Sequence, residues 1–377
     1  MTNNKKGLKE LPEFSKIKRV DVHDLNLNAE GQAFAHRLEK PAENLKQAAE
    51  IFERDGVVAL ADKCQVETVD EQGKKRQLSV LELTTTSAAS TIAKLQSIWD
   101  SADRETIIKA KDYGAYNGTE RHMCTVSFEN VQAHLPDVIE LQHSLLPTIR
   151  DITADSSVEI SDDPDEGTVV NLQLFNKDAP AGTRQEHGAH TDRVDITTVV
   201  CLDNVGPQGD FVYLKGYNDA CRALSLDPHR DFLPNMGRIL KETPEAVIFR
   251  IYPVKPGRML VARTDQDVHF ITAKSRGDVE LGIKAGAKVS VLGDKILGRG
   301  IINAAFETAR CRRIFEHSKE VYSKNNDLTK LRGDDYFQAL DLAIKTEVAA
   351  GRLPKHELED MRNACVTQMS AAQLYND

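Results

Sequence analysis

A chain of 377 residues can bury a large core, and its formal charge of −9 excludes the clustered basic face needed to neutralise nucleic-acid phosphates. The N-terminus holds no apolar leader core and no uninterrupted apolar run approaches membrane-spanning length, so neither a membrane partner nor secretion is expected and the cytoplasm is the default location. The six cysteines are scattered without a C-x-x-C pair, which excludes a zinc ribbon and a disulfide framework and leaves reduced, packed thiols.

The first forty residues are polar and poorly periodic and read as an irregular lead-in. From Pro41 to Arg54, Leu45, Ala48 or Ala49, and Ile51 or Phe52 recur at helical spacing and Gly56 supplies a stop, which predicts a helix. Val57 to Leu60 follows as a strand, and Gln65 to Val69 and Gln77 to Leu83 flank a polar turn as a strand pair. Residues 87–110 and 135–152 are helical in pattern, the second through Leu135, Val138, Leu141 and Leu145, and are expected to cover a β core.

From Gly167 the texture changes to strands. Val169 to Phe175 alternates, with Leu172 and Leu174 on one side and Asn171, Gln173 and Phe175 on the other. Asn171 and Gln173 either face a bound ligand or form an ordinary solvent face. A loop-forming stretch, Asp178 to Gly188, then leads to His190-Thr191-Asp192 and the β-branched run Val194 to Leu202. An imidazole and a carboxylate two residues apart on an extended segment point to the same side and can share one metal ion. A second triplet, His229-Arg230-Asp231, has no strand character around it and is set aside.

The stretch from Gly206 to Glu245 holds four prolines and several glycines and reads as a long insertion, a lid or a decoration. Beyond it a Pro-Gly turn, the apolar run Met259 to Ala262, a polar turn and Val268-His269-Phe270-Ile271 form the pattern of a hairpin. His269 is the best third ligand, and two His with one carboxylate suit non-haem Fe(II) with three coordination positions open. After Gly300 the chain is expected to turn helical. Phe337, Leu340 and Ile344, then Leu358, Met361, Cys365 and Met369, fall at helical spacing, so these helices either pack on the core or pair two subunits.

The stretch Asn171 to Asn176, the Pro/Gly loop, and His187-Gly-Ala-His-Thr-Asp-Arg-Val-Asp-Ile-Thr-Thr-Val-Val-Cys-Leu202 resemble the core of Fe(II)- and 2-oxoglutarate-dependent dioxygenases, most of all the isopenicillin N synthase-like branch. The resemblance covers residues 165–292 and implies an α+β fold with a double-stranded β-helix (jelly-roll) core at 166–295, interrupted by the insertion 206–245. A helical part, 41–165, and C-terminal helices, 300–377, would flank it within one domain. It implies Fe(II) held by His190, Asp192 and His269, with 2-oxoglutarate and O2 as cosubstrates. The reaction would be hydroxylation, desaturation or ring closure on a small molecule of the kind met in secondary metabolism.

One departure concerns the R-x-S pair that the family places after the distal His to hold the far carboxylate of 2-oxoglutarate. This chain offers Lys288 with Ser290, expected on a strand, or Arg276 in a turn. Arg184 and Arg193 flank the ligands and either anchor an amino-acid-like substrate or are surface charges. The missing R-x-S keeps open an iron oxidase that uses no oxoacid, and a vestigial triad in a binding protein stands as the third alternative.

Overall fold

The computed structural model describes residues 40–366 except 70–74, 117–118, 164–166, 208, 229–231, 326–327 and 332. The lead-in before Lys40, the triplet at 229–231 and Met369 lie outside the described residues. Helix α1 (Leu45–Asp55) starts where the Asn44 side chain accepts the Gln47 N–H, and stops at Gly56, whose φ of 73° suits a residue without Cβ. Strand β1 (Val57–Leu60) leaves that turn fully buried, and β2 (Gln65–Val69) pairs β3 (Lys75–Ser79). Helix α2 (Val80–Trp99) begins with a reciprocal Ser79/Glu82 cap, so the second expected strand is cut short at Ser79.

The helix expected to reach residue 110 ends earlier. After the one-turn α3 (Arg104–Ile107), the chain runs as β4 (Ile108–Tyr116) and returns as β5 (Thr119–Val126). These two strands extend the main sheet, so the part before 165 is not solely helical. Helices α4 (Phe128–His134) and α5 (Pro136–Thr153) follow, the latter burying Val138, Leu141, Leu145 and Ile149. Each such side chain removed from water contributes roughly 2 kcal/mol before entropy is charged against it.

The remaining strands are β6 (Glu159–Ile160), β7 (Val169–Asn176), β8 (Arg184–His190), β9 (Ile196–Asn204), β10 (Phe211–Lys215), β11 (Ile248–Tyr252), β12 (Met259–Arg263), β13 (His269–Ser275), β14 (Val291–Leu292) and β15 (Lys295–Glu307). A large sheet has the order β1-β12-β9-β15-β7-β5-β4, with β14 and β6 also on β15. A small sheet has the order β11-β10-β13-β8, and all of these pairings are antiparallel. In chain order the strands from β7 to β13, and then β15, switch sheet at almost every connection. That alternation is a double-stranded β-helix, the jelly roll.

Val199, Cys201, Phe211, Tyr213, Ile271 and Ile301 fill the space between the sheets. On the outer face of the large sheet, Leu172, Val200, Val261 and Ile302 pack with residues of α1, α2 and α5. Helices α6 (Tyr217–Ala223) and α7 (Phe232–Glu242) cover the small sheet through Tyr217, Met236 and Ile239. The expected insertion is therefore built structure: it holds core strand β10 and a helical cover. Helix α8 (Arg276–Lys284) separates β13 from β14. Helices α9 (Ala309–Lys324), α10 (Gly333–Ala349) and α11 (Leu358–Val366) share a core of their own around Tyr336, Leu340 and Met361. Arg362 of α11 ties them to the α6–α7 connection through Asp227, at 2.7 and 3.2 Å.

Three further expectations are corrected. β12 and β13 form no hairpin, because the turn between them carries the chain from one sheet to the other. The Asp178–Gly188 loop is shorter than expected, since β8 already begins at Arg184. The chain does not turn helical at Gly300: β15 runs on to Glu307, and its glycines mark close approach, a Cβ on Gly298 meeting Phe175 at 2.5 Å.

Candidate metal centre

Antiparallel pairing of β8 with β13 sets His190 directly against His269. The rings lie 4.3 Å apart between centroids, and Phe211 stacks on His269 at 5.5 Å. Asp192 sits just past the end of β8, where its N–H donates to the Thr264 carbonyl at 2.8 Å. That bond turns the carboxylate back between the rings, Oδ1 at 3.4 Å from Nε2 of His190 and Oδ2 at 3.5 Å from Nε2 of His269. The structure thus brings the three expected ligands together, with one ligand atom from each lying within 4.8 Å of the others. Donors about 2.1 Å from one ion and at right angles would stand about 3 Å apart, close to what is seen.

The electrostatics suit a cation. Burial alone would raise the Asp192 carboxyl, but the neighbouring His269 and His190 outweigh it and hold it at about 2. Burial and His190 lower His269 to about 4 against the pull of Asp192. At neutral pH the set is therefore one carboxylate and a neutral imidazole lone pair at His269. These are the protonation states that a metal requires.

Outer contacts fix the carboxylate. The Thr197 hydroxyl donates to Oδ2 of Asp192 at 3.2 Å and lies 3.0 Å from the Thr264 hydroxyl, which in turn donates to the Val194 carbonyl at 3.0 Å. Asp195 accepts from the Thr308 N–H and hydroxyl, at 3.0 and 2.6 Å, and so pins the ligand loop to the start of α9. Thr197→Val is expected to weaken Fe(II) binding about ten- to hundredfold without unfolding the chain, as measured by anaerobic metal titration alongside a thermal melt.

The triad opens on a cavity of about 250 Å³ whose wall includes Asn171, Asn303, Thr125 and Ile271. Asn171 faces this cavity, its Oδ1 accepting from the Thr125 hydroxyl at 2.8 Å. Gln173 is buried one step further along β7, donating weakly to the Gln185 carbonyl at 3.4 Å, with Oε1 unpartnered among the described residues. The other polar expectations fall elsewhere. Lys288 is exposed on a loop after α8, not on a strand, because β14 starts only at Val291. The Ser290 hydroxyl is committed to Asp203 at 2.8 Å. Arg276 opens α8, donating to the Lys177 carbonyl at 3.0 Å with Glu280 at 3.5 Å. Arg193 turns away under α9, where it pairs with Asp163 and lies 3.8 Å over Phe315. It lines a second cavity, on the other side of Asp192. The side chain of Arg184 lies outside the described residues.

Sequence reasoning missed two cations. Arg299 on β15 is 1 % exposed and Lys274 on β13 is fully buried, both close to Gly209. Lys274 donates to the carbonyls of Val205 and Pro207 at 2.9 Å each. Nη1 of Arg299 has no partner among the described residues. Burial lowers Arg299 to about 10, and burial with Arg299 beside it lowers Lys274 to about 8. Both carry charge at neutral pH, and a buried charge normally has a counter-ion. Arg299 shares an inward row with Ile301, Asn303 and Ala305, of which the last two line the triad cavity.

Lys274 has a pH signature. Between about pH 8 and its ordinary value of 10.5 the unfolded chain holds a proton that the folded chain has lost, so this residue's contribution to stability rises with pH across that window. The difference in unfolding free energy between wild type and Lys274→Met is expected to grow by up to about 3 kcal/mol from pH 7 to pH 10.5 in urea titrations of the metal-free protein. A difference that stays flat would show an ordinary lysine.

No family model matches the chain, and no curated protein does. Solved structures do. The non-haem α-ketoglutarate-dependent epimerase SnoN from nogalamycin biosynthesis is 16 % identical with a TM-score of 0.43, covering 70 % of this chain and 81 % of its own. The carbocyclase SnoK from the same biosynthesis gives 12 % and 0.40, over 70 % and 87 %. A prolyl hydroxylase from Trichoplax adhaerens gives 8 % and 0.39, over 72 % and 91 %. All three are 2-oxoglutarate-type oxygenases, and they leave the isopenicillin N synthase-like branch unspecified. The superpositions are weak, so the fold assignment rests on the strand order itself. No helix among the described residues is long and apolar enough to cross a membrane.

Proposed function

We propose that this chain is an Fe(II)- and 2-oxoglutarate-dependent oxygenase acting on a small molecule by hydroxylation, desaturation or ring closure. One observation carries the reading: His190, Asp192 and His269 converge at one end of the space between the sheets, each offering one ligand atom within 4.8 Å of the others. When bound, iron(II) with the oxoacid supplies oxygen activation and hydrogen abstraction. His190 and His269 would donate nitrogen lone pairs, and Asp192 would hold the ion from the third corner, kept in place by Thr197 and Thr264. Arg299, with Lys274 beside it, would receive the far carboxylate of 2-oxoglutarate through its free Nη1, taking the role first sought at Lys288, Ser290 and Arg276. Phe211 and Ile271 exclude water between the two ends.

The unpartnered Nη1 of Arg299 is what favours the oxoacid over an iron oxidase that uses none. Anaerobic Fe(II) titration with 2-oxoglutarate should produce a weak visible charge-transfer band, and air should then yield succinate. Tight Zn(II) binding with neither signal would sink the reading in favour of a structural metal site. As part of the same proposal, residues 41–366 form one catalytic unit working in the cytoplasm. The C-terminal helices, which expose Leu342, are where a second subunit would pair, as sedimentation velocity can test.

A further inference from the structure

We infer that Asn303 and Asn171 select a substrate that presents an uncharged group carrying both a hydrogen-bond donor and an acceptor, of the carboxamide or hydroxy-carbonyl kind, beside the metal centre. The inference rests on the proposed function and gives that site its substrate class. Asn303 lies on β15 paired with Val169, and Asn171 lies on the adjacent β7 paired with Ile301, so the two amides are diagonal neighbours on one face. Both line the triad cavity. Oδ1 of Asn303 is buried with no partner among the described residues, an acceptor waiting for an N–H or O–H. Asn171 already has its oxygen occupied by the Thr125 hydroxyl, which leaves its Nδ2 to donate. One acceptor and one donor side by side complement a group with the same pair reversed.

Charge sharpens the choice. Apart from the metal-ligand set, the described wall of this cavity holds only threonine, asparagine, glycine and apolar side chains, with no lysine or arginine. The cations that line the neighbouring cavity, Arg193 among them, lie across Asp192. With Asp192 engaged by the metal, a carboxylate or ammonium held against the two asparagines would lose its hydration with no lysine, arginine or further carboxylate of the described wall beside it. A neutral amide or hydroxyl would lose less and satisfy the orphaned oxygen.

The test uses the protein loaded anaerobically with Fe(II) and 2-oxoglutarate and three probes of one shape: cyclohexanecarboxamide, cyclohexanecarboxylate and cyclohexylmethylammonium. Binding is followed by ligand-observed NMR, and metal and oxoacid occupancy by the visible band. The carboxamide is expected to bind at least about tenfold more tightly than either ion. Asn303→Ala and Asn171→Ala should each remove most of that preference while Fe(II) affinity stays within about twofold. Equal binding of the three probes, or a preference that survives in both variants, overturns the inference while leaving the proposed function intact. A chain that takes up neither Fe(II) nor 2-oxoglutarate yet keeps the carboxamide preference overturns the proposed function instead.

Discussion

His269→Ala should abolish ferrous binding, with a loss of at least about a hundredfold, since outer partners of a ligand already cost ten- to hundredfold. The ring is buried, and its strand is held on both edges, by β8 on one side and β10 on the other. The backbone pairing that places residue 269 does not depend on the imidazole, so the variant is expected to fold with a modestly lower melting temperature. Loss of the Phe211 stacking partner and the space left behind account for that drop. The control is His317→Ala. That imidazole sits on α9, 3.0 Å from Glu347, and its removal should leave iron binding unchanged. Anaerobic Fe(II) titration of the two variants, each checked by circular dichroism, decides the matter. Equal iron affinity in His269→Ala and wild type would remove residue 269 from the ligand set.

What could be read from the sequence follows the length scale of the signals. His190 and Asp192 are two residues apart, and local alternation was enough to pair them. His269 was found because a β-branched segment with one histidine follows a turn, although the hairpin inferred there was wrong. Its real neighbour is β8, and the pairing depends on a sheet crossover that no local pattern records. Strand β10 was hidden because Phe211 to Lys215 lies among prolines and glycines that read as loop. Strand β15 was hidden because Gly298 and Gly300 punctuate it, and those residues are there to let Phe175 and Leu202 approach.

The missed cation has the same origin. Helix α8 and the loop after it push the strand that faces the metal far beyond the distal histidine, so a search at the usual distance finds only Arg276 and Lys288. An arginine between two glycines inside an apolar run was the available signal. Thr197, Thr264 and Asn303 could not have been selected, because their importance lies in which strand they face rather than in what surrounds them in the chain.

Arg299→Met should move stability and cosubstrate affinity in opposite directions. In the ligand-free protein the guanidinium is 1 % exposed and hydrogen-bonded to none of the described residues through Nη1, and the pull of Asp210 falls short of the burial that lowers it, so its desolvation is only partly offset. Replacing such a charge with an apolar side chain of similar length is typically neutral or stabilising by about 1–4 kcal/mol, and the melting temperature should rise. Binding of 2-oxoglutarate should weaken at least about thirtyfold, because losing one member of a buried, hydrogen-bonded charge pair costs roughly 2 kcal/mol or more. Arg299→Lys keeps the charge without the planar fork and should fall between wild type and Met in affinity. An arginine that merely braced the strands would give the reverse result, a lower melting temperature with the oxoacid affinity of the Fe(II)-loaded protein unchanged. The sign of the two shifts, measured on one variant, therefore separates a binding residue from a structural one more sharply than loss of activity could.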